Sequence, residues 1–311
     1  MIVRHALRAL AALIICVGFG SASSAADPPT VRIATTPIDV GAEVYYAQDM
    51  GFFKKAGLNV EVQTISNGGA IAAAVASNAV DIGQGNVLSL ITAFKHNIPI
   101  TIVAPAGSYS AKRPTSQLLV TQSSAIRSAA DLKGKTVATN GLKNILVLGV
   151  DAWLGENHVD PSAVKFIEIP FADMEGALAQ GRVDAAFMAE PSLSAAKHTM
   201  RVAADPFTAI SPSFLIGAWF TSTAWAKDHP DLAKRFQSAM RETATWANAH
   251  PAQSAQILAK YTKVSPALLG TMARATYSGQ VDPRDIQPVV DAAARYGIID
   301  GGFPATNLIY H

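Results

Sequence analysis

The apolar and polar positions of the chain fall into two runs of alternating strand-type and helix-type pattern, and the second run echoes the first about a hundred residues later. In the first run, residues 31–36 form a β-type stretch stopped by Pro37. Residues 41–50 have helical spacing, with Val44 and Ala47 on one face. Gly51 and Gly57, with Lys54 and Lys55 between them, end that helix: glycine accepts the left-handed cap, and the lysines suit the negative end of the dipole. Residues 58–65 alternate as a second strand, with Leu58, Val60 and Val62 on its apolar side. Asn67-Gly68-Gly69 opens an Ala-rich helix, and residues 80–85 are a third strand. The order βαβαβ implies a parallel sheet with right-handed crossovers.

Residues 88–95 read as a helix, 98–104 as a buried strand, 107–114 as a polar loop, 118–121 as a short apolar strand and 128–133 as a brief helix. The pattern then repeats. Residues 135–140 are a strand, 141–144 a turn, 145–157 a helix, 164–169 a strand, 173–180 a helix and 183–188 a strand. Val183-Asp184 echoes Val80-Asp81, and the offset holds from element to element. Two such units suggest two lobes facing one cleft. Residues 202–207 read as a return segment and 214–222 as one long apolar strand. Beyond it the chain is helical. Pro230 and Pro251 suit first turns, and Ser265-Pro266 and Asp282-Pro283 pair an N-cap with a first-turn proline. Ile286, Val289, Val290 and Ala293 make one apolar stripe ended by Gly297. These helices are expected to cover the first lobe, so the chain would cross between lobes near Leu118 and near Gly217.

Composition narrows the class. Half of the 311 residues are hydrophobic and 15% are charged, which suits a compact chain of two domains. Residues 1–26 carry Arg4 and Arg8, an apolar run too short to span a bilayer, and then small residues. They are expected to be a cleavable signal peptide. The remaining chain balances 23 basic against 23 acidic residues, and nothing recommends a nucleic-acid partner. Cys16, the one cysteine, would leave with the signal, so neither disulfides nor cysteine metal sites are expected in a protein of the periplasm.

Signatures of catalysis are missing. There is no Gly-x-Ser-x-Gly elbow, Walker A loop or His-Glu-x-x-His. Gly83-Gln84-Gly85 follows a strand, but Leu88 stands where a dinucleotide loop needs its third glycine, so a tight turn is expected. The histidines are scattered without metal-ligand spacing. No enzyme activity, cofactor or metal is expected.

Binding geometry remains. Ligands of parallel α/β units lie beyond the carboxyl ends of the strands. In the first unit those ends are Thr35 and Thr36, then Asn67, Gly68 and Gly69, then Gly85 and Asn86. In the second they are Gly141, Lys143 and Asn144, then Asp173, then Glu190. The glycines allow close approach to backbone, and Gly68-Gly69 and Gly141 precede helices whose free N–H groups would face the cleft. Lys143 is the one cation of the set and suits an anionic group. Glu190 would accept from an amino group or else pair on the surface, and Trp219 and Phe220 would form an apolar wall or else core.

Three motifs carry a family resemblance. Residues 47–61, with Gly51-Phe52-Phe53 and Gly57-Leu58-Asn59-Val60-Glu61, resemble the "A-x-x-x-G-F-F-x-x-x-G-L-x-V-E" run of ABC-transporter substrate-binding proteins of the nitrate, sulfonate and taurine group, which includes thiamine-pyrimidine binders. Asp131-Leu132-Lys133-Gly134-Lys135-Thr136-Val137 is similar to that family's entry to its second lobe, and Val183-Asp184-Ala185 with Glu190-Pro191 to its "V-D-A … E-P" segment. The resemblance implies a type II periplasmic binding protein fold of α/β class, each lobe a βαβαβ-based sheet flanked by helices, joined by a two-strand hinge. Lobe one would comprise residues 27–117 and 219–311, and lobe two residues 118–218. The implied function is capture of a small organic solute, sulfonate- or taurine-like or related, for a membrane permease with its cytoplasmic ATPase, by a monomer. A thiamine-precursor pyrimidine or an aromatic acid is the alternative solute. A thiamine-pyrimidine synthase activity is the enzymatic alternative, but the cysteine cluster of those enzymes is missing. A chemosensor role would use the same cleft.

Overall fold

The computed structural model describes residues 30–65, 68–262 and 264–311. The expected signal peptide, residues 1–26, and Asn67 lie outside the described residues. In chain order, β1 (Thr30–Thr35) leads through a 3-10 turn (Asp39–Gly41) to α1 (Glu43–Asp49), α2 (Phe52–Lys55), β2 (Asn59–Thr64), α3 (Gly68–Ala76), β3 (Ile82–Asn86), α4 (Val87–Lys95), β4 (Ile100–Pro105), β5 (Gly107–Ser110) and β6 (Ser116–Thr121). The second run is β7 (Thr136–Thr139), α5 (Ile145–Glu156), β8 (Lys165–Glu168), α6 (Phe171–Ala179), β9 (Ala185–Ala189), α7 (Ser192–Ala196) and β10 (Met200–Ala204). Then come β11 (Ser213–Leu215), β12 (Gly217–Ser222), α8 (Thr223–Asp228), α9 (Pro230–Ala249), α10 (Pro251–Tyr261), α11 (Pro266–Thr271), β13 (Thr276–Tyr277) and α12 (Pro283–Arg295). No helix among the described residues is long and apolar enough to cross a membrane.

The repeat read from the sequence is a repeat of topology. One five-stranded sheet has the order β2-β1-β3-β12-β4, and a second has β8-β7-β9-β6-β10. In each, the first strand of the unit lies between two parallel neighbours, and an antiparallel strand follows. The twin Val-Asp dipeptides sit at matching points of both ladders. Asp81 exchanges backbone bonds with Arg32: its carboxylate accepts from the Arg32 N–H at 2.8 Å, and its own N–H donates to the Arg32 carbonyl at 2.8 Å. Asp184 does the same with Thr136, at 2.8 and 2.9 Å. A short acceptor side chain thus extends the ladder one step past the last backbone pair and fixes the register of the third strand.

The glycines of Gly83-Gln84-Gly85 lie inside β3, not in the expected turn. A Cβ on Gly83 would come within 2.6 Å of Ile71 and 2.9 Å of Val75 and Phe220, so glycine lets α3 and β12 pack directly onto the strand.

Two segments differ from expectation where the chain passes between sheets. Residues 107–110, expected within a polar loop, form β5, and the expected long strand over 214–222 is broken at Ile216 into β11 and β12. β5 pairs antiparallel with β11, Tyr109 opposite Phe214, and also with β13, making a third, three-stranded sheet. Gly107 and Tyr109 are buried and Ser108 and Ser110 half-buried, so the strand does alternate, but over only four residues. The Ile216 backbone serves two partners, donating to Gly107 at 3.2 Å and accepting from Val87 at 2.9 Å, which marks the change of sheet.

The C-terminal helices pack mostly on the first sheet. α9 lies against α1 and α2 through Phe53–Phe236 and Tyr46–Trp246 ring contacts. The α12 stripe Ile286, Val289, Val290 and Ala293 is fully buried. Coverage goes further than expected, because the end of α12 also reaches α5. Tyr296 stacks over Gly155, whose missing side chain makes the room, and its hydroxyl donates to the Ala152 carbonyl at 3.3 Å.

Candidate functional site

The carboxyl ends of β1, β3 and β7 and the start of three helices converge on one cleft of ≈ 540 Å³. Its first-sheet wall includes Thr36, Ile38, Gly68, Gly69, Gln84, Gly85 and Asn86, and its second-sheet wall Asn140, Gly141, Leu142, Lys143, Asn144 and Glu168. Each wall is built by caps. The Asn86 side chain accepts from Ser89 N–H at 3.0 Å and starts α4. The Asn144 side chain accepts from Leu146 N–H at 2.9 Å and starts α5, while donating to Asn140 Oδ1 at 2.6 Å. Thr36 Oγ1 donates to Gln84 Oε1 at 2.8 Å and holds the β1 end to the β3 end.

The walls touch. Ser89 Oγ, on α4, donates to the Lys143 carbonyl at 3.2 Å. The Asp39 N–H donates to the Glu190 carbonyl at 3.3 Å. The N-termini of α3, α4 and α5 each bring a partial positive charge of about half a unit to the cleft. The exposed Lys143 side chain adds a full one, and no ion pair among the described residues involves it. Positive charge from Lys143 and the helix N-termini thus meets the Glu168 carboxylate of the same wall, with hydrogen-bonding side chains around them. Among the described residues no three His, Cys, Asp or Glu side chains gather as a metal site.

Of the residues singled out in the sequence, Thr36, Gly68, Gly69, Gly85, Asn86, Gly141, Lys143 and Asn144 line this cleft. The structure places five others elsewhere. Thr35 is buried, and its hydroxyl donates to the Gly41 carbonyl at 2.8 Å, bracing the 3-10 turn. Trp219 is core: its indole N–H donates to Glu43 Oε2 at 3.1 Å. Phe220 is core too, packed on Gly83 and Gly85. Asp173 belongs to the first turn of α6 and borders, with Pro170 and Arg182, an adjoining concavity that meets the cleft at Glu168. The Glu190 side chain is 2% exposed, and its carboxylate accepts from Ser194 N–H at 3.0 Å and Ser194 Oγ–H at 2.8 Å. Burial raises its pKa, against the lowering effect of the Ser194 bonds. Its backbone, not its carboxylate, meets the opposite wall.

Gln84, Ser89, Thr92, His96 and Ile98 also line the cleft and were not singled out. Ser89, Thr92 and His96 did leave a signal, since they recur on one face of an otherwise apolar helix.

The turn that carries Ile38 is held from behind. Arg274 Nε donates to Asp39 Oδ1 at 2.9 Å and its Nη2 to the Tyr46 hydroxyl at 2.6 Å, while the Tyr277 hydroxyl donates to the Asp39 carbonyl at 2.6 Å. Beside this cluster, burial pushes the Glu43 carboxyl well above its usual range, against the Trp219 bond, and Oε1 has no partner. Burial therefore favours the neutral form of Glu43.

Known proteins share this build. An alkanesulfonate-binding protein of Xanthomonas axonopodis pv. citri, solved bound to MOPS, superposes with a TM-score of 0.75 at 17% identity, over 92% of this chain and 99% of that one. The nitrate-binding protein NrtA of Synechocystis PCC 6803 gives a TM-score of 0.73 at 16% identity, over 89% and 84%. These likenesses establish the periplasmic binding protein fold. A Brachyspira hyodysenteriae protein, provisionally named an ABC transporter periplasmic binding protein, is 26% identical over 212 residues, which span 65% of this chain and 61% of that protein's length. The NMT1/THI5-like family model matches residues 40–254, and the chain belongs to that family.

Proposed function

We propose that the protein is the substrate-binding component of an ABC import system, working in the periplasm and delivering a small organic solute to a membrane permease and its ATPase. The observation that carries the reading is the cleft itself. Equivalent strand ends of two repeated units face each other across it, and the facing loops touch through Ser89–Lys143 and Asp39–Glu190 contacts. The two sheets are read as two lobes, with β5 and β11 as the hinge. A solute that bonds to both walls favours the shut arrangement, so closure follows binding as a population shift. The relatives named for binding favour a receptor over an enzyme.

For the solute, Lys143 and the three helix N-termini favour an anionic head, sulfonate- or taurine-like, over a neutral aminopyrimidine. Titration calorimetry on the purified protein with taurine, short alkanesulfonates, nitrate, aromatic acids and an aminopyrimidine tests this. A sulfonate should bind, and Lys143→Ala should weaken it about tenfold, the scale of a lost charge-assisted bond. Tighter binding of the aminopyrimidine than of any anion would reverse the assignment, and turnover of a bound compound would reopen an enzymatic role.

A further inference from the structure

A second space opens off the cleft. Between α3 and α4 runs a groove of ≈ 190 Å³ whose Gly68, Ala72, Gly85, Asn86, Ser89, Ala93 and Ile98 also line the cleft and which extends it past Ala73 and Ala76. Its sides are alanines, Ala72, Ala73 and Ala76 from α3 and Ala93 from α4, and its floor is Leu90, Ile100 and Phe220. Ile98, 43% exposed, borders both the groove and the cleft. Among the described residues the polar side chains on it are Asn86 and Ser89. They are already bonded to one another at 2.8 Å, and Ser89 also to the Lys143 carbonyl. Among the described residues water elsewhere in the groove meets no polar side chain, whereas an apolar group there covers exposed carbon. α3 carries no side chain bulkier than a methyl on this face, although larger helix-forming residues would fit its exposed positions.

We propose that the solute is amphiphilic, with its polar head in the cleft and an apolar tail, a short alkyl chain or a single ring, lying in the groove between α3 and α4. The inference rests on the cleft being the solute site. The groove is continuous with that cleft, which makes the tail of the same molecule its occupant.

A series of straight-chain alkyl compounds from one to six carbons, with sulfonate, carboxylate and ammonium heads, is titrated into the wild type and into Ala73→Leu and Ala76→Leu. Both residues line the groove and not the cleft, and both sit on an exposed helix face where leucine is well tolerated. In the wild type each methylene that enters the groove should raise affinity by about fourfold for the preferred head. In the two variants the one-carbon member should bind as in the wild type, while the gain with length disappears. Binding that does not grow with chain length, or a gain that survives in both variants, overturns the groove assignment and leaves the cleft reading standing. Failure of every head and every length to bind overturns both.

Discussion

Two buried acids stand behind the cleft and are accommodated in opposite ways. Asp39 faces a guanidinium 2.9 Å away. Glu43 has no cation, only the Trp219 N–H, and burial favours its protonated form. An unfolded chain releases the Glu43 proton near pH 4.3, the ordinary glutamate value, whereas the folded protein keeps it to a higher pH. Below that value both states are protonated and nothing is lost. As pH rises above it, the unfolded state gains by ionising and stability falls, by up to about 1.4 kcal/mol per pH unit, until the folded pKa is reached. Glu43→Gln keeps an acceptor for Trp219 and removes the titration. At pH 5 the variant should lie within about 1 kcal/mol of the wild type, and it should gain on it steadily towards pH 7. Urea unfolding midpoints at the two pH values measure this, and a difference that stays flat would mean that Glu43 is already ionised in the folded protein.

At the scale of elements, the repeated Val-Asp dipeptide is a register lock. Asp81 and Asp184 do the same backbone work but differ in surroundings. Asp81 is also paired with Arg32 at 2.7 Å, with a side chain 11% exposed, whereas Asp184 meets Lys135 at 3.5 Å and is 39% exposed. Replacing Asp184 by alanine should cost about 1 kcal/mol, the worth of one backbone-paired acceptor, and Asp81→Ala about 2–3 kcal/mol, since a part-buried charged bond is lost as well. Equal losses in chemical denaturation would show that the Arg32 pair contributes nothing. The same dipeptides explain why the fold was legible. Each strand of the two units is an apolar or alternating stretch beside glycine or proline, and the spacing between Val80-Asp81 and Val183-Asp184 marks the duplication. β5 was not legible because four alternating residues, Gly-Ser-Tyr-Ser, are written in loop vocabulary. The break at Ile216 was hidden by an unbroken apolar run, since a strand buried in one sheet and a strand buried in another look alike. In the cleft, the parts made by backbone and caps (Gly68, Gly85, Asn86, Gly141, Asn144) could be read from strand ends. Glu190 could not, because only the fold shows that Ser194 already occupies its carboxylate. The α4 contributors Ser89, Thr92 and His96 are hard to read because the helix around them is apolar.

At the scale of the molecule, the described residues include a contact across the cleft made by a side chain and another made by backbone alone. The Asp39–Glu190 contact is between main-chain groups and survives substitution. The Ser89 hydroxyl spans from α4 to the Lys143 carbonyl and is removable. Ser89→Ala keeps the N–H that the Asn86 cap needs, so α4 should still start where it does. What is lost is about 1 kcal/mol of the shut arrangement relative to the open one. Under the proposed closure that shift lowers the fraction of binding-competent molecules, and apparent affinity falls by about fivefold. The loss should be the same for every solute, short or long, because it acts on closure and not on the tail. Ala76→Leu should instead discriminate by length, so the two variants report on separate parts of one process. Small-angle scattering separates closure from direct contact. If Ser89 stabilises the shut form, the ligand-free variant should have a radius of gyration at least as large as the wild type and should contract fully when saturated. An affinity loss confined to some solutes, with unchanged ligand-free scattering, would reassign Ser89 from holding the walls together to touching the solute.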